Sequence, residues 1–296
     1  GSSGYVYLYS SNSGINIYKI QVDSSASSGS GSSSSGSSTT DTGNGTVVTS
    51  FSELTAAVTK AEKAGGGIVY VKGSSISCTA QLALKASNAN VSIIGVKNSD
   101  GTYPVLDFSA FRSAYIGKAT TDSEVGIRIS GSNYTIKNLI IQKAPDNGIQ
   151  IKGSSAGNNT IENCIVRYNN DAGVQITGGA YSNTMRFVYS YRNCDVYTLG
   201  GNADGFAPKL GAGKGNVFYG CYSWENSDDG WDSYDKDSLT YNLTYTNCAC
   251  WNNGDPTIFT GEYDYNNGNA LDTDLLLVEL ISKKDSSFAS NYKNGK

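Results

Sequence analysis

Thr-Ile-Lys-Asn-Leu at residues 135–139 returns as Thr-Ile-Glu-Asn-Cys at 160–164, and Asp146-Asn-Gly-Ile-Gln-Ile151 returns as Asp171-Ala-Gly-Val-Gln-Ile176. Both pairs are offset by 25 residues. A repeat of this length, built from short β-prone segments, cannot bury its apolar side chains alone and closes a core only by stacking on its neighbours. Later segments keep the same columns while loops of variable length enter between them. Val188, Cys221 and Cys248 fall at the Cys164 position; Asn169, Asn193, Asn226 and Asn253 form a column five residues on; Asp146, Asp171, Asp195, Asp228 and Asp255 form another two residues further. Leucine-rich repeats share the period, but their L-x-x-L-x-L-x-x-N pattern is missing. The asparagine column suits an internal ladder of stacked amides bonded to one another and to neighbouring backbone. These columns predict an all-β chain wound as a parallel β-helix.

Upstream of the repeat, Ser50 and Glu53 have the spacing of a capping box, and Phe51, Leu54, Ala57, Val58 and Ala61 recur at helical intervals. Gly65-Gly66-Gly67 ends that segment and Ile68 to Val71 starts a strand. A short amphipathic helix here predicts a cap over the first coil, whose apolar side chains no earlier coil would cover. Ser24 to Gly45 is almost wholly Ser, Gly and Thr, too poor in apolar side chains to order itself, and reads as a flexible linker. Tyr5 to Val22 alternates apolar and polar residues around Ser-Asn-Ser-Gly at 11–14, the pattern of a hairpin. The expected organisation is therefore a C-terminal remnant of a β-rich module at 1–22, a linker at 23–46, the β-helix at 47–270 and an atypical tail at 271–296.

Composition excludes several functions. Histidine is absent from the 296 residues, which rules out Ser–His–Asp and Cys–His mechanisms and histidine-containing zinc sites. A net charge of −4 without a long basic run argues against nucleic acid as a partner. No apolar stretch reaches the length needed to cross a bilayer, and none resembles an amphipathic membrane helix. The six cysteines include no C-x-x-C pair, and Cys164, Cys221 and Cys248 sit in an inward column where a thiol acts as a small hydrophobe.

Between residues 202 and 232 the repeat becomes acidic. Asn202-Ala-Asp-Gly-Phe206 ends one coil and Ser227-Asp-Asp-Gly-Trp-Asp232 ends the next. Asp204 and Asp228 are 24 residues apart, close to one coil, and Asp229 and Asp232 add two more carboxylates at the same corner. Carboxylates packed this closely repel one another unless protonated or met by a cation. Without histidine or clustered thiolate, hard-oxygen ligation favours Ca²⁺ over Zn²⁺. The plainer alternative is that these residues only close Asx-turns, as Asp146 and Asp171 are expected to do. Paired aspartates serving a glycoside hydrolase are the other functional reading.

With Lys209-Leu-Gly211 and Gly215-Asn-Val-Phe-Tyr-Gly-Cys221, these motifs resemble the catalytic β-helix of family 9 polysaccharide lyases, mostly pectate lyases, over residues from about 125 to 270. The resemblance implies a right-handed single-stranded helix, Ca²⁺ held by Asp204, Asp228, Asp229 and Asp232, and β-elimination on pectate-type polyuronides by a secreted, monomeric protein. The C5 proton of the uronide is removed, the 4-O-glycosidic bond breaks, and the ion stabilises the charge that develops. The family's base is a lysine in a Gly-Asn-Gly-Phe-Lys-like segment, but here Asn267-Gly-Asn-Ala270 runs into Leu271-Asp272. The tail that follows, Asp274-Leu-Leu-Leu-Val-Glu-Leu-Ile281, is acidic and Leu-rich, as in a terminal helix or a truncated or frame-shifted end. Lys209 is the remaining lysine near the cluster and the candidate base, with a cleft-lining cation for polymer carboxylates as its other role. The expectation is a Ca²⁺-binding, lyase-like protein that turns over pectate slowly or not at all. The alternatives are a non-catalytic carbohydrate-binding solenoid and a polygalacturonase-type hydrolase, although the Gly-His-Gly element of such hydrolases cannot exist here.

Overall fold

The computed structural model describes residues 4–7, 19–22 and 44–254, apart from 116, 117, 196, 199 and 236–240. The hairpin turn at 11–14, most of the Ser/Gly-rich segment, Asp255, Asn267 to Asp272 and the tail to 296 lie outside the described residues. Two compact units divide near residue 39. In the first, Gly4–Tyr7 pairs antiparallel with Lys19–Val22.

In the second unit, the expected helix spans Phe51–Lys63. Ser50 Oγ accepts from the Glu53 amide at 3.3 Å, and Glu53 Oε2 accepts from the Ser50 amide at 3.2 Å and the Thr49 amide at 2.8 Å. This reciprocal cap satisfies donors that a helix start otherwise leaves unpaired. Leu54, Ala57 and Val58 are buried against the first coil. Tyr134, fully buried in a later coil, donates from its hydroxyl to Glu62 and accepts from the Ala86 amide at 2.8 Å, tying the cap to the stack.

The remaining chain winds through three parallel sheets whose strands follow chain order. The first has eight strands, from Thr46–Val48 to Thr244–Thr246; the second has seven, from Ser75–Ser77 to Ala249–Trp251; the third has five, from Leu82–Leu84 to Phe206–Pro208. The repeat read from sequence is the register itself: Thr135 opposes Thr160 and Ile149 opposes Val174. Strands of three to five residues alternate inward and outward, as a pleated strand must. Ile136, Ile161, Met185 and Phe218 fill one inward column, and Ile151 and Ile176 part of another.

Between the second and third sheets, Asn169, Asn193, Asn226 and Asn253 form the expected ladder. Asn193 Oδ1 accepts from the amide and Nδ2 of Asn169 at 3.1 and 2.9 Å, and Asn226 Oδ1 repeats this with Asn193 at 3.1 and 2.8 Å. The residues just before them, Tyr168, Arg192, Glu225 and Asn252, all have left-handed backbone with φ between 52° and 57°. That conformation costs a non-glycine residue roughly 1–2 kcal/mol, so the ladder holds each corner in a turn the chain would not choose alone. A second ladder, Asn159, Asn183 and Asn216, stands at the corner before the first sheet.

Coil spacing leaves no room at some corners. A Cβ on Gly95 would lie 1.9 Å from the backbone oxygen of Asn138 in the next coil. That carbonyl belongs to the stacked backbone and cannot rotate away as a side chain would. Gly95→Ala is expected to lower stability by about 3 kcal/mol, measured by urea unfolding of the whole chain.

Candidate metal centre

The acidic corner lies where chain leaves the second sheet and enters the third. Gly205 and Phe206 amides donate to the carbonyls of Asp229 and Gly230 at 2.9 and 3.1 Å, and Phe206 is bridged to Trp231. Asp204 is therefore stacked on Asp229, while the Asp228 amide faces the Ala203 carbonyl at 3.4 Å. Counting residues from sequence had set Asp204 against Asp228. The coil from Phe206 to Trp231 keeps the 25-residue period of Thr135 to Thr160, so the partner of Asp204 lies one place beyond Asp228. Trp231 stacks on Phe206 with ring centroids 4.7 Å apart and meets Phe218 edge-on, which fixes the segment carrying Asp232.

Asp204, Asp229 and Asp232 each present a carboxylate oxygen, and these three atoms lie within 4.8 Å of one another. Asp204 is fully buried, Asp232 half-buried and Asp229 exposed. Asp204 Oδ1 accepts from the Asp229 amide at 3.2 Å, and Asp232 Oδ1 accepts from the Tyr234 amide at 2.7 Å, an Asx-turn that aims its second oxygen inward. Asp228 is placed differently. Its Oδ2 accepts from the Asn202 amide at 2.7 Å and so braces the segment that carries Asp204, while its charge acts on both Asp204 and Asp229. Lys209 Nζ donates to Oδ2 of Asp204 at 2.8 Å and to Oδ2 of Asp232 at 2.6 Å.

Burial pushes Asp204 up to about 7; the Lys209 ammonium pulls against that, and the charges of Asp232 and Asp228 add to it. Burial, then the charges of Asp228 and Asp232, also raise Asp229. For Lys209, burial favours the neutral amine, but the Asp204 charge and the two hydrogen bonds outweigh it and hold the ammonium above its ordinary range. In the ion-free corner Lys209 thus has the environment of a cation, the reverse of what a general base requires.

The donor set fits Ca²⁺. All three atoms are hard oxygens, and oxygens about 2.3–2.6 Å from one ion lie up to about 5 Å apart, matching the observed spread. Asp146, Asp171 and Asp195, from the ordinary acidic column, accept instead from local amides of Asn147, Ala172 and Tyr197. Sequence reading missed the supporting amides of Asn202 and Tyr234. The Asp232-Ser-Tyr234 spacing was the available signal for the second.

Stacked parallel coils with an oxygen-rich corner define the class: a right-handed parallel β-helix of the polysaccharide-lyase type. The sequence model of the family described as "Pel9A-like, right handed beta helix region" matches residues 35–271. Pectate lyase L of Paenibacillus polymyxa (strain SC2) is 32% identical over 253 residues, covering 82% of this chain and 54% of that protein. Pectate lyase L of Dickeya chrysanthemi is 31% identical over 141 residues, 48% of this chain and 27% of that protein. The crystal structure of pectate lyase Pel9A superposes with a TM-score of 0.54 at 26% identity, covering 75% of this chain and 51% of that one. The chain belongs to this family, the Pel9A-like family 9 polysaccharide lyases. It spans about half the length of its Paenibacillus relative.

Proposed function

We propose that this β-helix binds Ca²⁺ through Asp204, Asp229 and Asp232, with Asp228 bracing the site, and acts at that corner on pectate-type polyuronides by β-elimination. The observation that carries the reading is the convergence of three carboxylate oxygens from two successive coils within 4.8 Å. When bound, the ion supplies positive charge that recruits uronate carboxylates and stabilises charge developing beside them. Asp204 anchors the site from the core, Asp229 offers its oxygen from the exposed side, and Lys209 contributes a fixed positive charge. Among the described residues, Lys209 is the lysine bonded to this cluster, and it is held as a cation. Turnover by this chain is therefore slow or nil unless a base comes from beyond the described residues. The acidic polymer substrate and the pectate lyases among its relatives support an extracellular setting. Among the described residues no helix is long and apolar enough to cross a membrane.

Incubation with polygalacturonate, with and without chelator, tests the reading. Ultraviolet absorbance of a C4–C5 double bond marks elimination and reducing ends alone mark hydrolysis; where neither forms, calcium uptake lost in Asp204→Asn marks the base-deficient lyase and no calcium uptake marks a binding solenoid. Hydrolysis that persists in chelator would exclude the proposal.

Proton competition gives a further expectation. A carboxyl raised to about 7 contributes stability below its unfolded value near 3.8, and that contribution is lost as pH rises through about 7. A cation takes the ionised form, so its binding must displace a proton below that pH. Calcium affinity is expected to fall as pH is lowered from 8 through 7 toward 5, with proton release on binding. Calorimetry in buffers of different ionisation enthalpy measures both; affinity flat across that range would contradict the burial of Asp204.

A further inference from the structure

We propose that Lys209 is a built-in counter-ion which a divalent cation must displace: its ammonium and the incoming ion compete for the same oxygens of Asp204 and Asp232. This rests on the Ca²⁺ reading of the corner and adds how the site loads. Two of the three converging carboxylates point their Oδ2 atoms at Nζ, at 2.8 and 2.6 Å. Oxygens bind Ca²⁺ at about 2.3–2.6 Å, nearly the same distance, so both cations would have to occupy one place. The Lys209 side chain is only 9% exposed and that of Asp204 0%, so little water lies between to screen the ammonium from the ion. The backbone anchors the Lys209 amide to the Ile176 carbonyl at 3.1 Å, and Nζ donates its hydrogen bonds to Asp204 and Asp232, so the exchange is a rotation of the side chain about its own bonds. Displacement leaves the lysine beside the loaded ion on the third sheet's outward row, which Lys152 and Thr177 also occupy. There it meets a polyuronide carboxylate in place of Asp204 and Asp232. The corner thus exchanges one internal cation for an external one and gains a substrate-facing charge.

Calorimetric titration of the full chain with CaCl₂ tests this. Lys209→Met keeps the aliphatic stem and removes the competitor, so its calcium affinity is expected to rise at least tenfold over wild type. In chelator the variant is expected to melt below wild type, and added calcium should close that gap. A crystal structure of the wild-type protein grown with calcium needs no variant to fold, and should show Nζ beyond hydrogen-bond distance of both carboxylates. Wild-type calcium uptake with equal or weaker binding by Lys209→Met, or a loaded structure with Nζ still bridging Asp204 and Asp232, overturns the exchange and leaves the metal reading intact. No uptake by either protein removes both.

Discussion

Asp204→Asn is expected to lower calcium affinity at least a hundredfold while leaving the ion-free protein as stable as wild type, or more so, at pH 8. The two halves of that result have one cause. Asp204 is fully buried, and burial raises its carboxyl to about 7, so at pH 8 the fold holds an anion it would rather keep neutral. Asparagine has the same shape and can keep the acceptor that meets the Asp229 amide at 3.2 Å; it carries no charge, and its Nδ2 in place of Oδ2 turns Lys209 Nζ away, a cost that offsets part of the relief. Lys209 retains Asp232 as its partner. The cation, by contrast, loses the one ligand anchored in the core. A hundredfold corresponds to about 2.7 kcal/mol, in the range expected for removing one buried charged partner. Asp228→Asn provides the comparison, because Asp228 stands outside the three converging oxygens and its Oδ2 already meets the Asn202 amide; its loss of affinity should stay below tenfold. Titration calorimetry and thermal melts in chelator measure both quantities. Equal losses for the two variants would mean that the cation sits on Asp228 after all.

Much of this architecture was written in local pattern. The offset of 25 between Thr135 and Thr160 became a register pair directly, because coils without insertions stack residue for residue. The Ser50–Glu53 cap was equally legible, since a capping box depends on four consecutive residues. The acidic corner was recognised as a group but not in its pairing: a spacing of 24 suggested Asp204 over Asp228, whereas the backbone sets Asp204 over Asp229. The coil there keeps the full 25-residue period, so a spacing of 24 stops one residue short of the true partner. The second ladder, Asn159, Asn183 and Asn216, repeats the separations of 24 and 33 seen in Asn169, Asn193 and Asn226, so it was equally legible in the columns although only the first was singled out. The ion pairs of Lys209 were beyond reach altogether. Its neighbours in space come from two coils, and no one-dimensional spacing says which way a long flexible side chain turns.

Ladder and metal corner are not independent parts. Gly205 sits between them, and a Cβ there would fall 1.8 Å from Ser223 Oγ and 2.9 Å from Asn226 Nδ2. The ladder thus packs directly beneath the backbone that presents Asp204. A rigid amide stack one residue from an acidic anchor lets three carboxylates converge without the corner opening to relieve their repulsion.

Asn193→Leu should therefore be among the most damaging single changes in the molecule, at about 4 kcal/mol. The side chain is completely buried and of similar size to leucine, so the cost is not a cavity. It is the hydrogen bonds left behind. Asn169 loses the acceptor for both its amide and its Nδ2, and Asn226 Oδ1 loses one of its two donors. The two hydrogen bonds that Asn169 loses are buried, and each such loss costs roughly 1–3 kcal/mol, which accounts for most of the figure. Asn253 stands at the other end of the same ladder, and its Nδ2 bonds only backbone carbonyls, of Ser223 and Trp251. Asn253→Leu leaves the Asn226 amide unmet while Asn226 Nδ2 keeps Ser223 Oγ at 2.9 Å, and the coil there is more exposed, so that water can replace the lost acceptor; about 1–2 kcal/mol is expected there. Urea unfolding of the two variants against wild type measures the difference. If Asn193→Leu cost no more than Asn253→Leu, the amide stack would be a by-product of the coils and not what holds their corners in register.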